Sequence, residues 1–93
     1  MSVTDNEALS RFELAEDGQT AFANYRRHGN VLILPHVESP PALRGKGTAG
    51  RLMEGAVGMM RARGDRAIPT CPYAVTWFQR HPGAADVLHK GDK

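Results

Sequence analysis

The stretch "ALRGKGTAGRLMEGAVGMM", Ala42 to Met60, joins a basic, glycine-rich turn to a segment with helical periodicity. Apolar residues in it recur at intervals of three and four, which places them on one face of a helix predicted from about Thr48 to Arg63. These apolar positions are Ala49, Leu52, Met53, Ala56, Val57 and Met60. Gly64 is suited to the residue that follows a helix end. The sequence therefore predicts one long amphipathic helix that begins directly after the glycines.

Alternating and apolar runs on both sides of this helix predict strands. Three runs precede it, at residues 11–15, 20–26 and 31–37, and the short turns between them favour an antiparallel meander. The third run is apolar on both faces and is predicted to be central, while Pro35 is expected to cause an end or a bulge in it. A fourth strand over 67–70 follows the helix, and a right-handed crossover makes it parallel to the third.

These elements predict an α/β fold. The sheet is expected to be mixed, with about four strands, and to be accompanied by one long helix and two short C-terminal helices over about 73–80 and 84–89. Ninety-three residues are enough for one small domain, so residues 1–93 are predicted to form a single domain. Residues 1–9 are expected to be a loose N-terminal segment.

Composition narrows the class of protein. The longest apolar runs span only a few residues and the N-terminus is polar, so neither a transmembrane helix nor a signal peptide is expected. The predicted location is cytoplasmic, without a membrane partner. The single cysteine, Cys71, rules out an internal disulfide, and the four histidines have no i, i+4 pair, so no metal site is predicted. A formal net charge of +2 does not indicate a nucleic-acid partner.

The glycine turn has the properties of an anion site. A helix start presents unpaired N–H groups and the positive end of the helix dipole, and glycines allow the main chain to approach a ligand. Arg44 and Lys46 add positive charge beside Gly45 and Gly47. On charge alone, a solvated basic face is the simpler interpretation. The order of residues does not fit a P-loop, and the chain has no room for the second half of a dinucleotide-binding fold.

A different phosphate-binding turn fits better. The segment Arg44-Gly-Lys-Gly-Thr-Ala49 matches Arg/Gln-x-x-Gly-x-Gly/Ala, and it resembles the acetyl-CoA-binding turn of the GNAT superfamily of N-acetyltransferases. Three segments in order also resemble its small YjdJ-type branch: His36-Val-Glu-Ser-Pro-Pro-Ala-Leu-Arg-Gly-Lys-Gly47, Ile68-Pro-Thr-Cys-Pro-Tyr73 and Arg80-His-Pro82. This resemblance extends over residues 10–90. Two departures are Val37, where the branch usually has threonine, and Ser39, where it usually has valine.

The resemblance implies a site for acetyl-CoA or coenzyme A, with a GNAT-like fold in a minimal version. The turn would hold the diphosphate through backbone N–H groups, and the end of the third strand would pair with the pantetheine arm. The implied cofactor-binding residues are Val37, Glu38, Arg44, Gly45, Lys46, Gly47, Thr48, Ala49 and Gly50. The fourth strand is expected to end at Cys71, beside the thioester.

The implied activity is acetyl-CoA-dependent N-acyl transfer, in which an acetyl group moves directly to an amine. The catalytic candidates are His36, Tyr73 and Cys71, because a histidine titrates near neutral pH, a tyrosine can protonate the leaving thiolate, and a cysteine thiolate can accept an acyl group. Structural roles are open for two of them, since Cys71 also fits a buried core position and His36 a brace at the sheet end. Glu38 is expected to be solvated.

The small size of the chain bears on the acceptor site. Residues 16–19 predict a tight turn where larger GNAT enzymes have helices that help to build the acceptor pocket. The acceptor site is therefore expected to be open, and the acceptor to be a small-molecule amine or an exposed protein amine. A monomer or weak homodimer is expected. The alternative function is a non-catalytic module that binds coenzyme A or acyl-CoA as a sensor or adaptor.

Overall fold

The sheet has five strands, which lie side by side in sequence order in the computed structural model of residues 3–90. They are β1 Thr4–Asn6, β2 Arg11–Glu16, β3 Gln19–His28, β4 Val31–Glu38 and β5 Arg66–Pro69. The first four strands pair antiparallel, and β5 pairs parallel to β4. The mixed sheet and its single parallel pair are therefore confirmed, with one strand more than predicted.

The helices also follow the predicted order. They are α1 Thr48–Arg63, α2 Pro72–Arg80 and a 3₁₀ helix Pro82–Val87, and a 3₁₀ turn Pro41–Leu43 precedes α1. The bounds of α1 agree with the prediction because both of its ends carry glycines in the left-handed region, Gly47 at φ 78° and Gly64 at φ 78°. The last helix begins at Pro82 rather than Ala84, since proline is well suited to a first helical turn. Between residues 3 and 90, no helix combines the length and apolarity needed to cross a membrane.

The core forms where one face of the sheet packs against α1 and α2. Alternate residues of the strands are buried on this face, for example Phe12 and Leu14 of β2 and Leu32 and Leu34 of β4. The helices contribute Leu52, Met53, Ala56, Val57, Met60, Ala74, Trp77 and Phe78 to the same cluster. Met53 and Met60 of α1 are thus core residues, as their helical spacing predicts.

The turn between β2 and β3 is as tight as predicted. Asp17 and Gly18 are its two central residues, and both have positive φ, 52° and 75°. Two successive residues in the left-handed region are typical of the two-residue hairpin turn whose twist matches the twist of the strands. The turn therefore places the end of β2 directly beside the start of β3, with no inserted helix.

The prediction of a loose N-terminal segment is wrong for residues 4–6, which form the edge strand β1. Asp5 lies opposite Phe12 in the sheet, and its side chain is only 4% exposed. It accepts a hydrogen bond from the Tyr25 hydroxyl at 2.7 Å and forms an ion pair with Arg63 of α1 at 2.7 Å. Burial and this carboxylate raise the pKa of Tyr25 to about 12. These tertiary contacts order a segment whose Thr-Asp-Asn sequence has little strand propensity.

The N-terminal segment also explains a glycine in the middle of α1. A Cβ atom added to Gly55 would overlap the side chain of Val3, whereas one added to Gly58 meets nothing within 4 Å. Gly58→Ala is therefore expected to raise the free energy of unfolding by about 0.5–1 kcal/mol, because alanine is the better helix former. Gly55→Ala is expected to lose that gain, since Val3 and β1 must move.

Chemical denaturation of the two variants measures this difference, and amide spectra report whether β1 shifts. An equal gain in both variants would contradict the packing of Val3 on α1.

Candidate active site

The strand β4 carries a bulge opposite Tyr25. Asn24 of β3 pairs with His36, but Arg26 pairs with Ile33, so Leu34 and Pro35 together face a single residue of β3. Pro35 has no N–H group to donate to a neighbouring strand. The interruption expected at Pro35 is therefore confirmed, and it turns the last residues of β4 relative to its first half.

On its other side, β4 loses its partner at the same point. The parallel pairing with β5 runs only to Leu34 and Pro69. The Leu34 carbonyl then accepts hydrogen bonds from the amides of Thr70 and Cys71, both at 3.1 Å, as the chain leaves the sheet. Residues 35–38 consequently have no β5 residue beside them.

The predicted end of the last strand at Cys71 is wrong. β5 ends at Pro69, and Cys71 is the N-cap residue of α2. Two features end the strand early: the Leu34 carbonyl binds both following amides, and Pro72 begins the helix at a position where its missing N–H has no cost.

A cavity of about 550 Å³ lies between the free end of β4 and the start of α1. Its lining residues are His36, Val37, Glu38, Ser39, Leu43, Arg44, Gly45, Gly47, Thr48, Ala49, Gly50 and Tyr73. The volume falls in the usual range for small-molecule sites. The cavity brings together ten of the twelve residues predicted for the site, and Lys46 and Cys71 are the two that do not line it.

The start of α1 offers free backbone donors to this cavity. The first helical hydrogen bond runs from the Arg51 amide to the Gly47 carbonyl at 3.1 Å, so the amides of Thr48, Ala49 and Gly50 precede it and have no helical acceptor. Gly47, at φ 78°, turns the chain into the helix. Three N–H groups at the positive end of the dipole form a cradle for an anion.

The two basic residues of the turn point in different directions. Arg44 lines the cavity, and its Nε donates to the Ser39 carbonyl at 3.3 Å. Lys46 instead lies 3.2 Å from the Asp17 carboxylate in the hairpin turn, and both side chains are exposed. Arg44 is therefore the basic side chain of this turn that borders the cavity.

Glu16 is a structural residue of the site that the sequence did not indicate. Its Oε1 accepts a hydrogen bond from the Thr48 hydroxyl at 2.5 Å, and its Oε2 accepts one from Arg51 Nε at 2.9 Å. The Arg51 guanidinium, and then the Thr48 hydroxyl, lower the pKa of Glu16 to about 2. The carboxylate thus fixes the first turn of α1 to the end of β2. Since 32 and 35 residues separate the partners, no local pattern reveals the contact.

The three catalytic candidates occupy different environments. His36 is about half exposed at the cavity wall, and its Nε2 lies 2.8 Å from Glu38 Oε1. Tyr73 is 40% exposed in the first turn of α2, and burial, with the nearby Cys71, raises the pKa of its hydroxyl. Cys71 is 8% exposed and belongs to the core cluster. Of the three candidates, His36 and Tyr73 therefore line the cavity, while Cys71 is buried and does not.

Two other features bear on the chemistry of the chain. His81 Nδ1 lies 2.7 Å from the Trp77 carbonyl at the end of α2, a helix-end position that fits a structural role. Among residues 3–90, no three histidine, cysteine, aspartate or glutamate side chains converge to hold a metal ion.

The sequence of the chain matches a known family. The family model described as GCN5-related N-acetyl-transferase matches residues 11–87, which include every strand except β1 and the whole cavity. The chain belongs to this family. Within it, the chain combines the bulged β4, the end of β5 at Pro69 and the glycine turn before α1. The narrower assignment to the YjdJ-type branch stays a prediction.

A solved structure confirms the GNAT-like fold. The chain is similar to the NMR solution structure of a GCN5-like candidate N-acetyltransferase from Staphylococcus aureus, with a TM-score of 0.68 and 18% sequence identity. The superposition covers 98% of this chain and 90% of that one. A likeness at this identity establishes the fold alone. A comparison with curated protein sequences gives no significant match.

The contact between Glu16 and α1 predicts a dependence of stability on pH. The pKa of Glu16 falls from an ordinary 4.5 to about 2 on folding, so its contribution to stability is complete above pH 4.5 and is lost as the pH falls towards 2. Glu16→Gln is expected to lower the melting temperature at neutral pH, and this difference from the wild type is expected to shrink below pH 4.5.

Thermal unfolding followed by circular dichroism across this range measures the effect. Glu54→Gln, which removes an exposed carboxylate from α1, serves as the control. A Glu16→Gln difference that stays constant with pH would contradict the assigned contact.

Proposed function

We propose that this member of the family is an acetyl-CoA-dependent N-acetyltransferase that transfers the acetyl group directly to an amine. The single observation that carries the proposal is the composition of the cavity. It joins the end of β4, which pairs with β3 but has no β5 residue beside it, to the free amides at the start of α1. An elongated ligand with a polar arm and an anionic diphosphate suits such a site.

Different residues of the cavity are suited to different parts of coenzyme A. The amides of Thr48, Ala49 and Gly50, with the Arg44 side chain beside them, are suited to the diphosphate of coenzyme A. Val37 and Glu38, on the part of β4 beyond the last β5 pair, offer main-chain groups to the amides of a pantetheine arm. Acetyl-CoA supplies the thioester that is the acetyl donor.

The side chains at the cavity wall can perform the proton transfers of aminolysis. A neutral acceptor amine forms a C–N bond to the acetyl carbon, and the C–S bond breaks. His36 accepts the proton that the amine nitrogen loses, and Tyr73 donates a proton to the departing thiolate. Because its pKa is raised, Tyr73 holds its proton at neutral pH. The products are an N-acetyl amide and coenzyme A.

The acceptor we propose is an amine on a small molecule or on the surface of a protein. The two-residue turn Asp17–Gly18 replaces a longer connection between β2 and β3, and His36 and Glu38 at the cavity wall are about half exposed. An open approach of this kind admits an amine attached to a large molecule. It also agrees with the small size of the YjdJ-type branch, in which we place the chain.

Two measurements test the proposal. Isothermal titration calorimetry with coenzyme A and acetyl-CoA is expected to give one binding site. Thiol release from acetyl-CoA in the presence of a panel of amines is expected to exceed the rate without protein. Binding without thiol release across the panel would contradict the enzyme and favour a binding module, and the absence of binding would contradict both.

Gly50 allows a test of the cradle that leaves the fold intact. An added Cβ meets no atom within 4 Å, yet Gly50 lines the cavity. Gly50→Ala is expected to stabilise α1 by about 0.5–1 kcal/mol and to weaken coenzyme A binding about tenfold, because the methyl group occupies space that the diphosphate needs. The matched control is Gly58→Ala, which makes the same change on α1 away from the cavity. Unchanged affinity in Gly50→Ala would count against the cradle.

Tyr73 and Cys71 separate direct transfer from transfer through an acyl-enzyme. Tyr73→Phe removes the proton donor and is expected to lower kcat by a factor on the order of 100, with the KM for acetyl-CoA changed little. Cys71→Ala is expected to keep kcat within about threefold, because direct transfer forms and breaks no bond at the Cys71 sulfur. Steady-state kinetics measures both, and intact-mass analysis after acetyl-CoA is added detects any acetyl-cysteine. Loss of turnover in Cys71→Ala with an acetylated wild type would overturn direct transfer.

A further inference from the structure

His36 and Glu38 form a pair at the cavity wall that has consequences for proton transfer. They lie two residues apart on β4, beyond the bulge, so their side chains project from the same face of the strand. His36 Nε2 lies 2.8 Å from Glu38 Oε1, and each side chain is 51% exposed. Even with a charged ring, an exposed pair of this kind contributes little to stability. Its effect is therefore on the state of the imidazole rather than on folding.

The carboxylate determines which ring nitrogen carries the proton. An ionised glutamate only accepts hydrogen bonds, so a partner nitrogen at 2.8 Å must be the one that bears hydrogen. In the neutral ring this places the proton on Nε2 and leaves the lone pair on Nδ1. The tautomer is thus inferred from the hydrogen bond.

The neighbouring charges leave Glu38 available for this contact. Phe22 lies opposite Glu38 on β3, and its ring centroid is 6.2 Å from that of His36. Arg11 covers the Phe22 ring at 4.4 Å, but its guanidinium is bound by Glu13 at 2.6 Å. The nearby cation therefore has its own carboxylate. Arg44, the cation that lines the cavity, donates to the Ser39 carbonyl.

We propose that Glu38 is a positioning residue, which holds His36 in the tautomer whose Nδ1 accepts the proton of the acceptor amine. This inference rests on the proposed function. As the C–N bond forms and the C–S bond breaks, the proton moves from the amine nitrogen to Nδ1, and the thiolate takes a proton from Tyr73. The Glu38 carboxylate keeps its hydrogen bond to Nε2 and stabilises the positive ring that results.

The first test reads the tautomer in the protein without any ligand. Nitrogen-15 NMR of the histidine rings is expected to show His36 with hydrogen on Nε2, and His36→Asn identifies its signals. In Glu38→Gln, the side-chain amide can donate as well as accept, so the preference is expected to be lost. A His36 signal unchanged by Glu38→Gln, or hydrogen on Nδ1 in the wild type, would overturn the proposal.

The second test measures turnover. Glu38→Gln is expected to lower kcat about tenfold, with the KM for acetyl-CoA changed less than about twofold, because part of the general-base contribution of His36 is lost with its orienting group. Glu7→Gln is the matched control, because Glu7 is exposed in the turn after β1 and outside the cavity. Unchanged kcat in Glu38→Gln, beside a wild type that transfers acetyl groups, would overturn the role of Glu38 alone.

Failure of the proposed function can be distinguished from failure of the proposed role of Glu38. A wild type that transfers nothing, although its His36 tautomer responds to Glu38→Gln, would overturn the proposed function and the catalytic purpose of the pair, while the contact itself would stand.

Discussion

The Leu34 carbonyl is the point on which the geometry of the cavity depends. By accepting hydrogen bonds from the amides of both Thr70 and Cys71, it ends the parallel pairing of β4 with β5 and directs the chain into α2. Pro35, the next residue, lies in the bulge against β3. Within two residues, β4 therefore loses its pairing with β5 and shifts its register against β3. The main chain beyond that point becomes a wall of the cavity rather than the middle of a sheet.

The opposite wall depends on an electrostatic contact from a distant part of the chain. Glu16, at the end of β2, binds Thr48 and Arg51 in the first turn of α1. An anionic group near a helix start is favourable for the helix. Because Glu16 also forms an ion pair with Arg51, the positive charge offered to a ligand comes from the backbone amides and Arg44. Such a site suits a ligand that is recognised by shape and by a compact diphosphate rather than by many cations.

Local signals predicted part of the fold and most of the candidate site. The bounds of α1 were predictable because Gly47 and Gly64, at its two ends, both need positive φ. The bulge was predictable because proline cannot donate to a ladder. The strand β1 was not predictable, since Asp5 is ordered by Tyr25 and Arg63, which lie 20 and 58 residues away. The early end of β5 was missed for the same reason, because a carbonyl of another strand causes it.

The sequence by itself determined the order of the elements, the glycine turn before α1 and the family resemblance, because periodicity, prolines and glycines act within a few residues of the chain. Tertiary structure decided which of the predicted site residues meet at one cavity. It buried Cys71 in the core, turned Lys46 towards Asp17 and brought Glu38 to His36. Side-chain direction depends on the strand register and on partners far away in the chain, and these are fixed only when the sheet and the helices pack together.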